Sequence, residues 1–100
     1  MLEPLLGSMS SERVLIFIQA RDQGYATEIA RFFEADLYAI QKQLDKLELG
    51  SVFVSRKVGR TRIFTFNPRY PFLNELKSLL EKAFLFYPED VRDGLLINTR

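Results

Sequence analysis

The sequence predicts a mainly α domain of the α+β class: three helices, a two-stranded β-hairpin and a further helix. Three observations carry that prediction. Apolar residues recur at helical spacing up to Gly50, alternate with a period of two through Phe66, and return to helical spacing after Pro71. At 100 residues, 47% hydrophobic and 27% charged, the chain is too apolar for intrinsic disorder and supplies one modest core. The commonest domain size is about 100–150 residues, so one domain is expected. A domain this small buries roughly two-thirds of its unfolded surface, which leaves partner contacts room to add stability.

Residues 1–9 are set apart as a flexible segment or tag remnant, because Gly7-Ser8-Met9 looks like a cloning scar. The folded domain is expected over 10–85, with 86–100 as a weakly patterned tail containing Pro88 and Gly94. Ser10 or Ser11 can cap the first helix, over 11–22, in which Val14, Leu15, Ile18 and Phe17 form an apolar stripe and Gly24 marks the end. Thr27 is the cap candidate for a short helix over 28–34, with Ile29, Ala30, Phe32 and Phe33 on its buried face and Glu28 near the positive end of its dipole. Asp36 caps a helix over 37–49, where Ile40, Leu44 and Leu47 face inward and Gly50 stops the run. Ser51–Arg56 and Arg62–Phe66 read as strands, joined by a tight reversal at Gly59. Pro68 and Pro71 break the second strand, since neither can donate a ladder hydrogen bond. Pro71 suits the first turn of a last helix over 71–85, with Leu73, Leu76, Leu79, Leu80, Ala83 and Phe84 at helical spacing.

The net charge is +1, but its distribution is uneven. Between Glu48 and Glu75 there is no acid, while Arg56, Lys57, Arg60, Arg62 and Arg69 make the stretch locally +5. Charged hairpin tips also serve simply to blunt sheet edges. A tip of one sign, however, points to a polyanion.

About three residues separate the second and third helices, which forces a helix-turn-helix corner. A hairpin directly after the third helix gives the order of a winged helix-turn-helix: a three-helix core, a β-hairpin wing and a C-terminal dimerisation helix. The residues resemble a family at this point. Tyr25 to Phe33 resembles the first helix of such a corner, with Ala30 as the small residue where the helices cross, and Asp36 to Glu48 resembles the recognition helix. Ser55 to Phe64 is similar to the wing of ArsR-like transcription regulators of bacteria and archaea. The resemblance spans about 11–84, and the wing is its most specific part. It implies a DNA-binding repressor that works as a homodimer. The chain departs from the pattern at Glu34, where Gly is common, and at Leu37 and Tyr38, where small polar residues often start the recognition helix. It also has neither Cys nor His, so metal sensing through the usual ligands is excluded.

The proposed partner is double-stranded DNA. An α-helix fits the major groove, and residues near its N-terminus reach base edges. On the predicted register Leu37, Tyr38, Gln41 and Lys42 project outward. Gln41 can pair with adenine, Lys42 with guanine acceptors or phosphate, and Tyr38 with phosphate or a thymine methyl. A solvated face is the alternative for Gln41 and Lys42, and a core or interface position for Leu37 and Tyr38. The wing residues Arg56, Lys57, Arg60, Thr61 and Arg62 suit flanking phosphates or a minor groove. Thr27 and Arg31 are further phosphate candidates. Asp36, Asp45 and Glu34 lie near the same surface; Asp36 is explained as a cap.

The last helix has a wider apolar face than the core needs. With Phe86, Tyr87, Leu95, Leu96 and Ile97 the surplus exceeds what a small monomer leaves exposed. Leu73, Leu76, Leu80 and Phe84 are therefore the expected homodimer interface, formed by the first or last helix with the tail. Without Cys or His, and with no phosphate-binding Gly loop or paired carboxylates, catalysis is not expected, nor is a cofactor or metal. No apolar run approaches the ~18 residues of a membrane span. The start lacks a signal-peptide pattern, and the absence of Cys fits a cytoplasmic location. No effector can be named. The rival reading is a winged helix that binds an acidic protein; a weaker one is single-stranded DNA or RNA stacking on Phe53 or Tyr38.

Overall fold

The computed structural model describes residues 1–97, and the side chain of Ile97 and residues 98–100 lie outside the described residues. The chain order is α1 (Glu3–Leu6), α2 (Met9–Arg21), α3 (Ala26–Phe33), α4 (Leu37–Leu49), β1 (Phe53–Val58), β2 (Thr61–Phe66), α5 (Leu73–Phe84) and α6 (Glu89–Ile97).

Helix α2 is the axis of the core. Val14, Leu15, Ile16, Phe17 and Ile18 are buried in succession, so the helix is apolar all round in its middle rather than striped on one side. It packs against α3, α4, α5, α6 and β2. Its cap is Ser8, whose hydroxyl accepts from the Ser11 N–H at 3.0 Å; Ser10 and Ser11 lie inside the helix. Its end is Asp22 in the left-handed region (φ 70°), a conformation a short Asp tolerates, and not Gly24. Residues 1–9 are not a featureless segment. They contain α1, and Leu2 and Leu6 pack against the core.

The α3–α4 corner is tight. Glu34 takes the left-handed conformation (φ 52°) at the turn, which is the geometry that favours Gly there. Asp36 caps α4, accepting from the Ala39 N–H at 2.9 Å. Thr27 is not the cap of α3. Tyr25 holds that position, and its N–H donates to Glu28 Oε1 at 3.4 Å, closing the first turn from the other side.

Strands β1 and β2 pair antiparallel in the register Phe53↔Phe66 to Val58↔Thr61. Two residues remain for the reversal, and Gly59 supplies the positive φ of 63° that it needs. Phe53 and Phe64 point into the core and pack edge-on, 6.4 Å between ring centres. Gly24 bridges to the free edge of β2 through two backbone bonds with Phe64, 3.1 and 2.8 Å long. The close approach explains the glycine: a Cβ there would lie 2.9 Å from the Phe17 ring.

Pro71 sits in the turn before α5 rather than in its first turn, because the Leu73 N–H closes back on the Tyr70 carbonyl. Glu89–Ile97 is helical where the sequence suggested a weakly patterned tail. Leu95 of α6 is fully buried, and Gly94 lets the helix approach Phe32 to contact distance. Arg21 fastens α6 to the core. Its guanidinium lies over the rings of Phe17 and Phe32 and donates to the carbonyls of Gly94 and Leu95, both at 3.0 Å.

Candidate nucleic-acid interface

The candidate surface begins with the N-terminal half of α4. Ile40 and Leu44 hold the helix to the core, which turns Leu37, Tyr38 and Lys42 outward. Leu37 is 47% exposed and Tyr38 74%, so neither is a core residue. Gln41 is half-buried, and its amide nitrogen donates to Asp45 Oδ1 at 2.9 Å. A carboxylate can only accept, so the contact fixes which way the amide faces. Gln41 keeps one N–H and its carbonyl oxygen for another partner. Asp45 thus touches a predicted contact residue.

The wing carries the charge. Its register sets Lys57 opposite Arg62, two like charges across the ladder. Such a pair opposes the strand pairing unless an anion lies between them. Arg56 donates to Gln23 Oε1 at 3.2 Å and Arg62 to Ser55 Oγ at 3.1 Å, and the Ser55 hydroxyl in turn donates to Glu48. Among the described residues the ion pairs are Met1 with Glu3 and Glu12, and Arg21 with Glu28. None involves Arg56, Lys57, Arg60 or Arg62, all of which are exposed.

Strand β2 and the start of α3 close a cleft of about 300 Å³ against α4. It gathers Thr27 from α3, Gln41 from α4, and Arg60, Thr61 and Arg62 from the hairpin turn and β2, together with Asp45, Tyr25 and Ala26. A second cleft, around Leu37 and Tyr38, shares Ala26, Thr27 and Gln41 with the first. Arg31, Lys42, Arg56 and Lys57 lie outside both and face solvent. Tyr25 and Ala26 are not among the contact residues the sequence points to; their sequence signal is their place at the start of the Tyr25–Phe33 resemblance. Phe53 is 1% exposed and cannot stack on a base, which leaves Tyr38 alone for that chemistry. Among the described residues no cluster of acids could hold a metal ion.

The residues expected at a dimer interface are placed unevenly. Leu80 is fully buried within the domain and unavailable to a partner, because its position on α5 faces α2. Leu76 and Phe84 are half-buried against the same core, and Leu73 is half-buried. The exposed apolar residues of this region are Phe72, Leu85 and Phe86.

No family model matches the chain, and no curated protein matches it. Solved structures do. A mutant of ZitR from Lactococcus lactis, in apo form, superposes with a TM-score of 0.58 at 15% identity, over 87% of this chain and 74% of that one. The adhesin competence repressor AdcR from Streptococcus pyogenes superposes with a TM-score of 0.57 at 12% identity, over 94% of this chain and 79% of that one. The fold is that of these winged-helix structures: helices with a two-stranded antiparallel wing.

Proposed function

We propose that the chain is a transcriptional regulator, a repressor, that binds double-stranded DNA as a homodimer in the cytoplasm. The N-terminal half of α4 enters the major groove with Leu37, Tyr38, Gln41 and Lys42. The wing lays Arg56, Lys57, Arg60, Thr61 and Arg62 on flanking phosphates or the adjacent minor groove, and Thr27 and Arg31 add phosphate contacts. One observation carries this reading: the wing cations have no carboxylate partner among the described residues, yet two of them open into the cleft that holds Gln41. Unpaired guanidinium groups beside a base-reading helix suit a polyanion. The likeness to a protein named as a repressor supports the same role.

The test is fluorescence-anisotropy binding to mixed duplex DNA over a salt series. Each phosphate neutralised contributes about 0.9 to the slope of log affinity against log salt. The Arg60→Ala/Arg62→Ala variant is expected to show a slope shallower by about one to two units. Absence of binding at about 50 mM salt, by folded protein, overturns the reading. The joint exposure of Leu37 and Tyr38 favours a second reading, a winged helix that docks an acidic protein through the same face. That reading takes over if duplex DNA does not bind.

A further inference from the structure

The cleft at the start of α4 has a volume of about 560 Å³ and is lined by Ala26, Thr27, Leu37, Tyr38 and Gln41. No charged side chain lines it. Ala26 and Leu37 give it hydrocarbon walls, and Tyr38 an aromatic one. The core does not require these two large residues, since Ile40 and Leu44 already anchor the helix and Leu37 and Tyr38 stay exposed. The cleft is continuous with the cationic one: Thr27 and Gln41 line both, and Arg60 and Arg62 stand on the far side.

An apolar depression beside an amide and a pair of guanidinium groups has a counterpart on the major-groove edge of DNA. An A·T pair presents the thymine C5-methyl there, next to the adenine N6 donor and N7 acceptor, with the phosphates flanking. Cytosine has no such methyl. We infer that this cleft seats a thymine methyl, and that Leu37 and Tyr38 thereby set a preference for thymine-containing steps. The inference rests on the DNA-binding reading and adds the base chemistry that the α4 surface selects. Gln41 fits the same pair. With its amide nitrogen turned towards Asp45, its carbonyl oxygen and remaining N–H can serve the adenine edge.

Burying one methyl-sized group is equivalent to about a fourfold change in affinity. Anisotropy titrations compare an alternating dA–dT duplex of about two helical turns with the same duplex carrying uracil in place of thymine. The chain is expected to bind the uracil duplex about fourfold more weakly for one methyl seated. The Leu37→Asn/Tyr38→Ser variant, altered only at exposed positions, is expected to bind both duplexes alike. Equal wild-type affinity for the two duplexes, with salt-dependent binding intact, overturns the cleft inference and leaves the DNA reading standing. A preference that survives in the double variant also overturns it, because the discrimination then comes from duplex shape. No binding to either duplex overturns both.

Discussion

Glu12 is only 5% exposed, and a carboxylate so placed needs donors. It has them: the Leu2 N–H at 2.7 Å and the Tyr87 hydroxyl, which ties the residues after α5 to α2. Burial, and after it the bond to Glu12, hold the Tyr87 phenol above its ordinary value near 10. The unfolded chain therefore loses this proton first as pH rises. The stability that the protonated phenol contributes is complete below about pH 10 and falls away above it. Tyr87→Phe is expected to cost about 1.5–3 kcal/mol near neutral pH, the value of a hydrogen bond to a charged group. Urea unfolding at about pH 8 and about pH 11 should show the gap between wild type and variant narrowing at the higher pH. A gap that stays constant sinks this account.

At the scale of elements, the wing hangs on one close contact. Gly24 exchanges two backbone bonds with Phe64 of β2 while its Cα faces the Phe17 ring and Ile29. Gly24→Ala would set a methyl carbon 2.9 Å from Phe17 and 3.2 Å from Ile29, so the ring or the bridge must shift. Such overpacking costs about 1–3 kcal/mol. Thermal unfolding checks the loss, and amide exchange at Phe64 checks whether the bridge opens; a variant as stable as the wild type refutes the contact. The same glycine shows what sequence can and cannot convey. Gly24 reads as a helix end because glycines often are, and the true reason, a strand-edge approach, depends on Phe64 far along the chain. The α3–α4–hairpin order was legible because its signals are local: Asp36 caps, Gly59 turns, and the period changes at Gly50. Helix α6 was not, because Pro88 and Gly94 carry breaker signals while Arg21 and Phe32, which hold the helix down, lie in other elements. At the site, the run from Arg56 to Arg62 announced the wing. Its shared cleft with Gln41 appears only once the hairpin, α3 and α4 are brought together, whereas the Gln41–Asp45 contact is an i,i+4 pair within α4 that the spacing already allowed.

For the whole molecule, the question is what the remaining apolar surface faces. The radius of gyration, 12.6 Å, is that of one domain, near the ~13 Å expected for this length. Leu5, Phe72, Leu85 and Phe86 are nevertheless 62–68% exposed. A second copy docked at the end of α5 would cover these apolar residues. Two-fold pairing would also present two α4 helices to successive major grooves, about 34–36 Å apart, which a single wing and helix cannot span. Sedimentation equilibrium at about 50 µM, well above a typical micromolar dissociation constant, is expected to give a dimer. Leu85→Ser/Phe86→Ser is expected to give a folded monomer, since both side chains are two-thirds exposed and the core loses little. DNA affinity should fall with the dimer, because the two half-sites are then bound independently. A wild-type monomer at that concentration refutes the assembly, and a double variant that remains dimeric moves the interface away from the end of α5.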